Sequence, residues 1–176
     1  NRPVIAATST HAGEEAAMIE AHRRLRSSFP GLLTVIVPRH PQRFDEVAAL
    51  IEARGYALSR RSSMAGWHAP VPQEKSVVLG DSMGEMAMYY ASCDVAYIGG
   101  SLLPLGGQNL IEACAVGVPV VVGPHTFNFV QATDDAVATG AAQRVGDARS
   151  AVDAMWDIVN NAGRRLRMSD AATKFA

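Results

Sequence analysis

At 176 residues, 48% of them hydrophobic, with 16 basic against 17 acidic side chains, the chain can bury one sizeable core and carries a net charge of −1. Charges of both signs are interspersed, so no basic stripe points to nucleic acid, and no apolar run reaches the roughly 18 residues a membrane-spanning helix needs. Cys93 and Cys114 lie outside any C-x-x-C spacing in apolar surroundings, which fits buried free thiols in a reducing compartment and leaves no cysteine cluster for a metal.

The chain opens on Asn1 and enters an apolar run at once, without a signal-peptide pattern, so it is read as a fragment. PVIAAT reads as a buried strand, and GEEAAMIEAHRRLRSSF follows as an amphipathic helix with Met18, Ala21 and Leu25 on one side. LLTVIVP is a second strand. PQRFDEVAALIEARG is a helix closed by Gly55. YALSRR gives a short third strand, and SSMAGWHAPVPQEK, polar and punctuated by proline, reads as a loop or insert. KSVVLG, DVAYIGG and VPVVVGP supply three more strands, with helices over GEMAMYYASC, QNLIEACAVG and FNFVQATDDAVATG. A last strand near AAQRV and the helix ARSAVDAMWDIVNNAG finish the pattern.

Strand runs without polar alternation, separated by helices, predict a parallel sheet covered on both faces. Right-handed crossovers make the simplest topology a doubly wound, Rossmann-like α/β fold, which binds ligands beyond the carboxyl ends of its strands. The loops TSTHAGE, VPRHPQRF, LGDSMGE and GGSLLPLGGQN are therefore the places to look for chemistry.

The first of them lacks the G-x-G-x-x-G fingerprint, and Gly100 to Gly107 lacks the Lys-Ser/Thr ending of a P-loop. Nicotinamide or flavin enzymes and nucleoside triphosphatases are disfavoured accordingly. In VPRHP, Pro38 and Pro41 restrict the backbone around Arg39 and His40, presenting a guanidinium suited to phosphate or carboxylate. The alternative is a turn whose Arg pairs with a nearby acid; placement at a strand end favours binding. In LGDSMGE, Ser82 and Glu85 fit an S-x-x-E capping box, while the same helix start offers free N–H groups to an anion, and both readings stay open.

In GGSLLPLGGQNLIEA, Asn109 and Glu112 share one face of a first helical turn, and Leu110, Ile111 and Cys114 can face the core. Glu112 suits two ribose hydroxyls, or it merely offsets the helix dipole. The five histidines show no H-E-x-x-H or paired spacing, so no metal site is expected. His11 beside Glu14 and Glu15 reads as a helix start, and His22 and His68 as surface residues. The absence of G-x-S-x-G leaves a Ser-His-Asp hydrolase without support.

Together, STHAGEE, VPRHPQRF, GDSMGE, CDVAYIGGSL, GGQNLIEA and GPHTFNF, in this order, resemble the carboxyl-terminal half of the 3-deoxy-D-manno-octulosonic acid (Kdo) transferases. The resemblance covers nearly the whole chain. It implies one half of a GT-B glycosyltransferase, with residues 1–176 forming the domain that binds the donor CMP-Kdo and an amino-terminal acceptor domain lying outside this chain. It also implies inverting transfer of Kdo to a lipid A precursor during lipopolysaccharide biosynthesis, at the cytoplasmic face of a Gram-negative inner membrane. The catalytic base and the membrane association belong to that amino-terminal half. No cofactor, metal or nucleic acid enters, and the fragment alone is expected to be soluble and inactive.

Position by position, the resemblance assigns CMP binding to Pro38, Arg39, Met83, Gly84, Glu85, Asn109, Leu110, Ile111 and Glu112. Gly99, Gly100, Ser101, Ser9, Thr10, His11 and His40 follow as an outer set near the phosphate or the Kdo carboxylate. Where the family reads Asn-Pro-Leu-Glu, this chain has Asn109, Leu110, Ile111 and Glu112, with Gln108 in a position often held by His. The missing proline would have pre-set the first helical turn. Two alternatives remain: the donor domain of another GT-B nucleotide-sugar transferase or epimerase using a UDP donor, and a non-catalytic nucleotide-binding scaffold.

Overall fold

The central strands are apolar on both sides, and the sheet they build is parallel throughout and sandwiched between two layers, as such runs require. The computed structural model describes residues 2–176. Its strands are β1 (Val4–Thr10), β2 (Leu33–Pro38), β3 (Leu58–Arg60), β4 (Val77–Leu79), β5 (Val95–Ile98), β6 (Val120–Val122) and β7 (Ala142–Arg144). They form one seven-stranded sheet in the order β3-β4-β2-β1-β5-β6-β7. The chain runs from β1 through β2 to the edge strand β3, returns to β4 between β3 and β2, and then restarts at β5 on the other side of β1. The topological switch point therefore lies between β1 and β5, where a doubly wound sheet opens its crevice.

The helices are α1 (Glu14–Ser28), α2 (Phe44–Ala53), α3 (Met86–Ala91), α4 (Ile111–Ala115), α5 (Val130–Thr139), α6 (Ala148–Asn160) and α7 (Ala162–Phe175). On one face, Ile5, Ala7, Tyr97 and Val121 pack against Met18, Ala21 and Leu25 of α1 and Met155 and Ile158 of α6. Ile36, Val77 and Leu79 continue that face against Val47 and Ile51 of α2. On the other face, Ala96, Ile98, Val120 and Val122 meet Leu110, Cys114, Ala136 and Ala172 of the α4, α5 and α7 region. Its remaining corner, Val35, Val37 and Val78, is covered by Tyr89 and by Met64, Trp67 and Val71 of the β3–β4 connection, where a helix would otherwise lie.

Three expectations need correction. Residues 148–163 do not complete the helical pattern: α6 stops at Asn160, and Asn161, whose side chain accepts from the Arg164 N–H at 2.9 Å, caps the further helix α7. Within α7 only Met168 and Ala172 are buried, so little amphipathic signal announces it. His22 is buried rather than on the surface; its Nδ1 shares a 2.7 Å hydrogen bond with Thr34 Oγ1 and its ring meets Tyr56 edge-on. Burial, with Arg26 and Arg2 nearby, lowers its pKa to about 4. Ile111, finally, is exposed, whereas Leu110 and Cys114 do face the core.

Candidate functional site

The end of β1 is shaped by strain. Ser9 carries a left-handed backbone, φ 54°, unlike any other non-glycine residue among the described residues, and the pairing of β1 with β2 skips between Thr8 and Thr10 there. Gly99 at the end of β5 allows this: a Cβ on it would lie 2.1 Å from the Ser9 carbonyl oxygen. The two strand ends are tied by Glu14. Its buried carboxylate accepts from the backbone N–H groups of Gly100 at 2.8 Å and His11 at 3.0 Å, and from the Tyr97 hydroxyl. Glu15, also buried, accepts from Thr10 Oγ1 at 3.2 Å and from Arg43.

Glu14 and Glu15 are thus more than the first-turn acids of α1. Their signal in the sequence was only that of a helix start, because nothing in the spacing tells a buried carboxylate from a solvated one.

After β2, the Arg39 N–H donates to the Thr10 carbonyl at 2.9 Å, fixing the VPRHP loop against β1. Pro38 is buried and Arg39 is exposed. Among the described residues no carboxylate pairs with the Arg39 guanidinium; the ion-pairing role in this loop falls to Arg43, which bonds Glu15 and, at 3.3 Å, Glu46. Beside them the rings of His11 and His40 meet edge-on at 5.5 Å. Partial burial lowers the pKa of His11.

After β4, the Ser82/Glu85 capping box does not form. The helix starts late, at Met86, and Glu85 at its N-cap makes no side-chain capping bond. The Ser82 hydroxyl bonds the Tyr89 hydroxyl instead. Glu85 Oε2 accepts from Arg61 at 3.0 Å and from the Trp67 indole N–H.

After β5, the two Gly-Gly pairs close on each other: the Gly107 N–H donates to the Gly100 carbonyl at 2.9 Å. Asn128 of the GPHTFNF segment clamps this loop, its backbone N–H donating to Gly106 O at 3.0 Å and its Nδ2 to Leu105 O at 3.2 Å. A side chain at Gly106, φ 89°, would run into Asn128 at 2.4 Å. Asn109 Oδ1 accepts from the Ile111 N–H at 3.0 Å, an Asx turn that holds the start of α4 without the proline.

These loops enclose a cavity of about 220 Å³ at the carboxyl ends of the strands. Seven of the residues expected from the sequence line it: Pro38, Arg39, Met83, Gly84, Glu85, Asn109 and Glu112. The remaining two, Leu110 and Ile111, do not; Leu110 is in the core and Ile111 projects outward. The cavity also takes in residues the sequence reading did not name as ligand contacts: Ser82, Tyr89, Tyr90 and Gln108, with Ser9 from the outer set. Gly99, Gly100, Ser101, Thr10, His11 and His40 stay off its wall. Ser101 joins the loops behind it, bonding the Ile98 carbonyl and accepting from the Gly123 N–H at 2.9 Å. Among the described residues no three His, Cys, Asp or Glu side chains gather as a metal site.

One unpaired cation, two carboxylates and several hydroxyl and amide groups thus face a single concave space. Such a set can hold an anionic ligand that also carries hydroxyls or amines.

The chain matches the family model described as glycosyl transferases group 1 over residues 70–175. It is 53% identical over 174 residues to the 3-deoxy-D-manno-octulosonic acid transferase of Bordetella pertussis, covering 97% of this chain and 40% of that protein. It is 38% identical over 173 residues to the enzyme of the same name from Haemophilus influenzae, covering 97% and 39%. The chain therefore spans about two-fifths of the length of these relatives. Among solved structures, the C-terminal CMP-Kdo binding domain of WaaA from Acinetobacter baumannii superimposes with a TM-score of 0.90 at 35% identity, covering 99% of this chain and 89% of that one. The C-terminal domain of the group 1 glycosyl transferase LpcC from Francisella tularensis, at 14% identity and a TM-score of 0.65, shares the fold. The architecture is the Rossmann-like half of a GT-B transferase.

Proposed function

The chain belongs to the Kdo transferases within the group 1 glycosyl transferase family, and from that premise we propose that it binds CMP-Kdo as the donor half of an inverting Kdo transferase. The observation that carries this reading is the strand-end cavity, in which the exposed, unpaired Arg39 stands with Glu112 and the Met83-Gly84-Glu85 segment. Arg39 takes the phosphate, with a planar fork suited to paired oxygens. Glu112 accepts from the ribose hydroxyls. Pro38, Met83, Gly84, Glu85 and Asn109 enclose the nucleoside, while the backbone of Leu110 and Ile111 carries α4 to the cavity edge.

As the bond to Kdo breaks, negative charge grows on the departing phosphate. A preorganised guanidinium and nearby N–H donors stabilise that charge more than they stabilise the bound donor, which lowers the barrier. The histidines His11 and His40, which meet edge-on beside the Arg39 loop, stand behind the cavity wall rather than on it. The acceptor, a lipid A precursor, and the base that activates its hydroxyl belong to the amino-terminal part of such an enzyme, as does attachment to the inner membrane. No helix of the described residues is long and apolar enough to cross a membrane.

Joining this chain to the amino-terminal half of the Bordetella pertussis relative and assaying transfer from CMP-Kdo to a lipid A precursor tests the reading. Transfer is expected. CMP binding without any transfer would leave a nucleotide-binding scaffold as the better description.

A further inference from the structure

Resting on the donor-site reading, we propose that Arg61 and Trp67, in the irregular β3–β4 connection, are positioning residues of the CMP site that act through Glu85. The two side chains converge on one oxygen of that carboxylate: Arg61 Nη2 donates to Glu85 Oε2 at 3.0 Å, and the Trp67 indole N–H donates to the same atom. The donors also hold each other, with the Arg61 guanidinium 4.6 Å above the Trp67 ring. Trp67 in turn meets Tyr89 edge-on at 5.1 Å, and the Tyr89 hydroxyl bonds Ser82. Glu85, Ser82 and Tyr89 all line the cavity, whereas Arg61 and Trp67 do not. They stand behind its wall.

The geometry has a chemical consequence. A carboxylate is acceptor-only while ionised, and with Arg61 and Trp67 on Oε2 and the Ser82 hydroxyl beside the same carboxylate, the remaining lone pairs are those of Oε1, which can accept from a ligand N–H or O–H. Glu85 sits on a turn rather than within a helix, next to Gly84 at φ 73°, so its own backbone does little to fix that oxygen. The clamp from the β3–β4 connection does so instead. Preorganising one acceptor removes the ordering cost that a mobile side chain would add to binding.

Covering Val35, Val37 and Val78 gives Trp67 a packing role as well, so the test must separate packing from action through Glu85. The 176-residue chain is titrated calorimetrically with CMP as wild type, Trp67→Phe, Arg61→Gln, Glu85→Ala and the two doubles with Glu85→Ala, and thermal unfolding is recorded for each. Trp67→Phe keeps a ring against Tyr89 and removes only the indole N–H. Arg61→Gln is the second route should the first variant unfold.

Trp67→Phe and Arg61→Gln are each expected to weaken CMP binding about five- to tenfold, the scale of one ordinary hydrogen bond, and to have no further effect once Glu85 is alanine. Such non-additivity is the signature of residues acting through a common partner. Equal losses in the presence and absence of Glu85, or unchanged CMP affinity in folded Trp67→Phe and Arg61→Gln while Glu85→Ala binds less, would overturn the proposal and leave the donor site standing. Wild-type chain that takes up no CMP at all would instead remove the donor-site reading, and this proposal with it.

Discussion

Arg39 and Arg43 lie four residues apart after β2, yet only one is committed within the protein. Arg43 is held by Glu15 and Glu46, while Arg39 finds no carboxylate among the described residues and faces the cavity. Prolines on either side of Arg39 and His40 made this loop legible in the sequence, because they fix the backbone whatever the surroundings. The buried bracing by Glu14 and Glu15 was not legible, since Glu14 is held by Tyr97 and Gly100, more than 80 residues away, and Glu15 by Arg43 from the next loop. Arg39→Ala and Glu112→Ala are each expected to weaken CMP binding by about tenfold or more, as loss of a charge-assisted contact implies. Both side chains belong to exposed residues, so thermal unfolding should stay within about a degree or two of wild type. Calorimetry and a melting curve on each variant check both halves.

His22 carries a separate prediction. Its folded pKa, near 4, lies below its ordinary value of 6.5, so the folded protein keeps the ring neutral where the unfolded chain protonates it. Its contribution to stability is therefore fully present above pH 6.5 and is lost as the pH falls toward 4. At about 1.4 kcal/mol per pKa unit, the loss amounts to roughly 2–4 kcal/mol. Denaturant titrations from pH 7.5 to 4.5 should show the stability gap between wild type and His22→Gln narrowing as the solution becomes acidic. A gap independent of pH would count against this account.

Among the elements, strands and long helices followed from hydrophobic runs, because a buried parallel sheet leaves no choice of face to encode. Short elements at the site were harder to read. The start of α3 was misplaced because Ser82 and Glu85 have capping-box spacing, but Tyr89, Arg61 and Trp67 compete for them. The turn into α4 raised the opposite problem, a family proline missing, and the Asn109 side chain resolves it by accepting from Ile111 N–H. The glycine loop from Gly99 to Gly107 depends on GPHTFNF as its clamp. Gly106→Ala would force an unfavourable backbone at φ 89° and a contact with Asn128 at 2.4 Å. It should cost about 1–3 kcal/mol, read as a fall of roughly 3–10 °C in Tm for a chain of this size, and CMP affinity should fall with it. An unchanged melting temperature would show that the loop does not need its clamp.

For the molecule as a whole, the sheet order places the β1/β5 switch point under the cavity, so the fold and the site are one arrangement. That much was implied by alternating strands and helices. The expectation of a CMP ligand rests on the order of the loop motifs, which composition and periodicity could not supply. Because the nucleotide should bind the folded chain alone, CMP at one hundred times its Kd is expected to stabilise it by about 2.7 kcal/mol, or roughly 5–10 °C in Tm.

Calorimetric titration of the 176-residue chain with CMP and, in parallel, with UMP tests the central claim most directly. Saturable one-to-one binding of CMP, weaker binding of UMP, and CMP binding weakened in Arg39→Ala and Glu112→Ala are the results expected. Equal affinity for both nucleotides, or CMP binding untouched by either substitution, would contradict a cytidine-nucleotide site in this cavity.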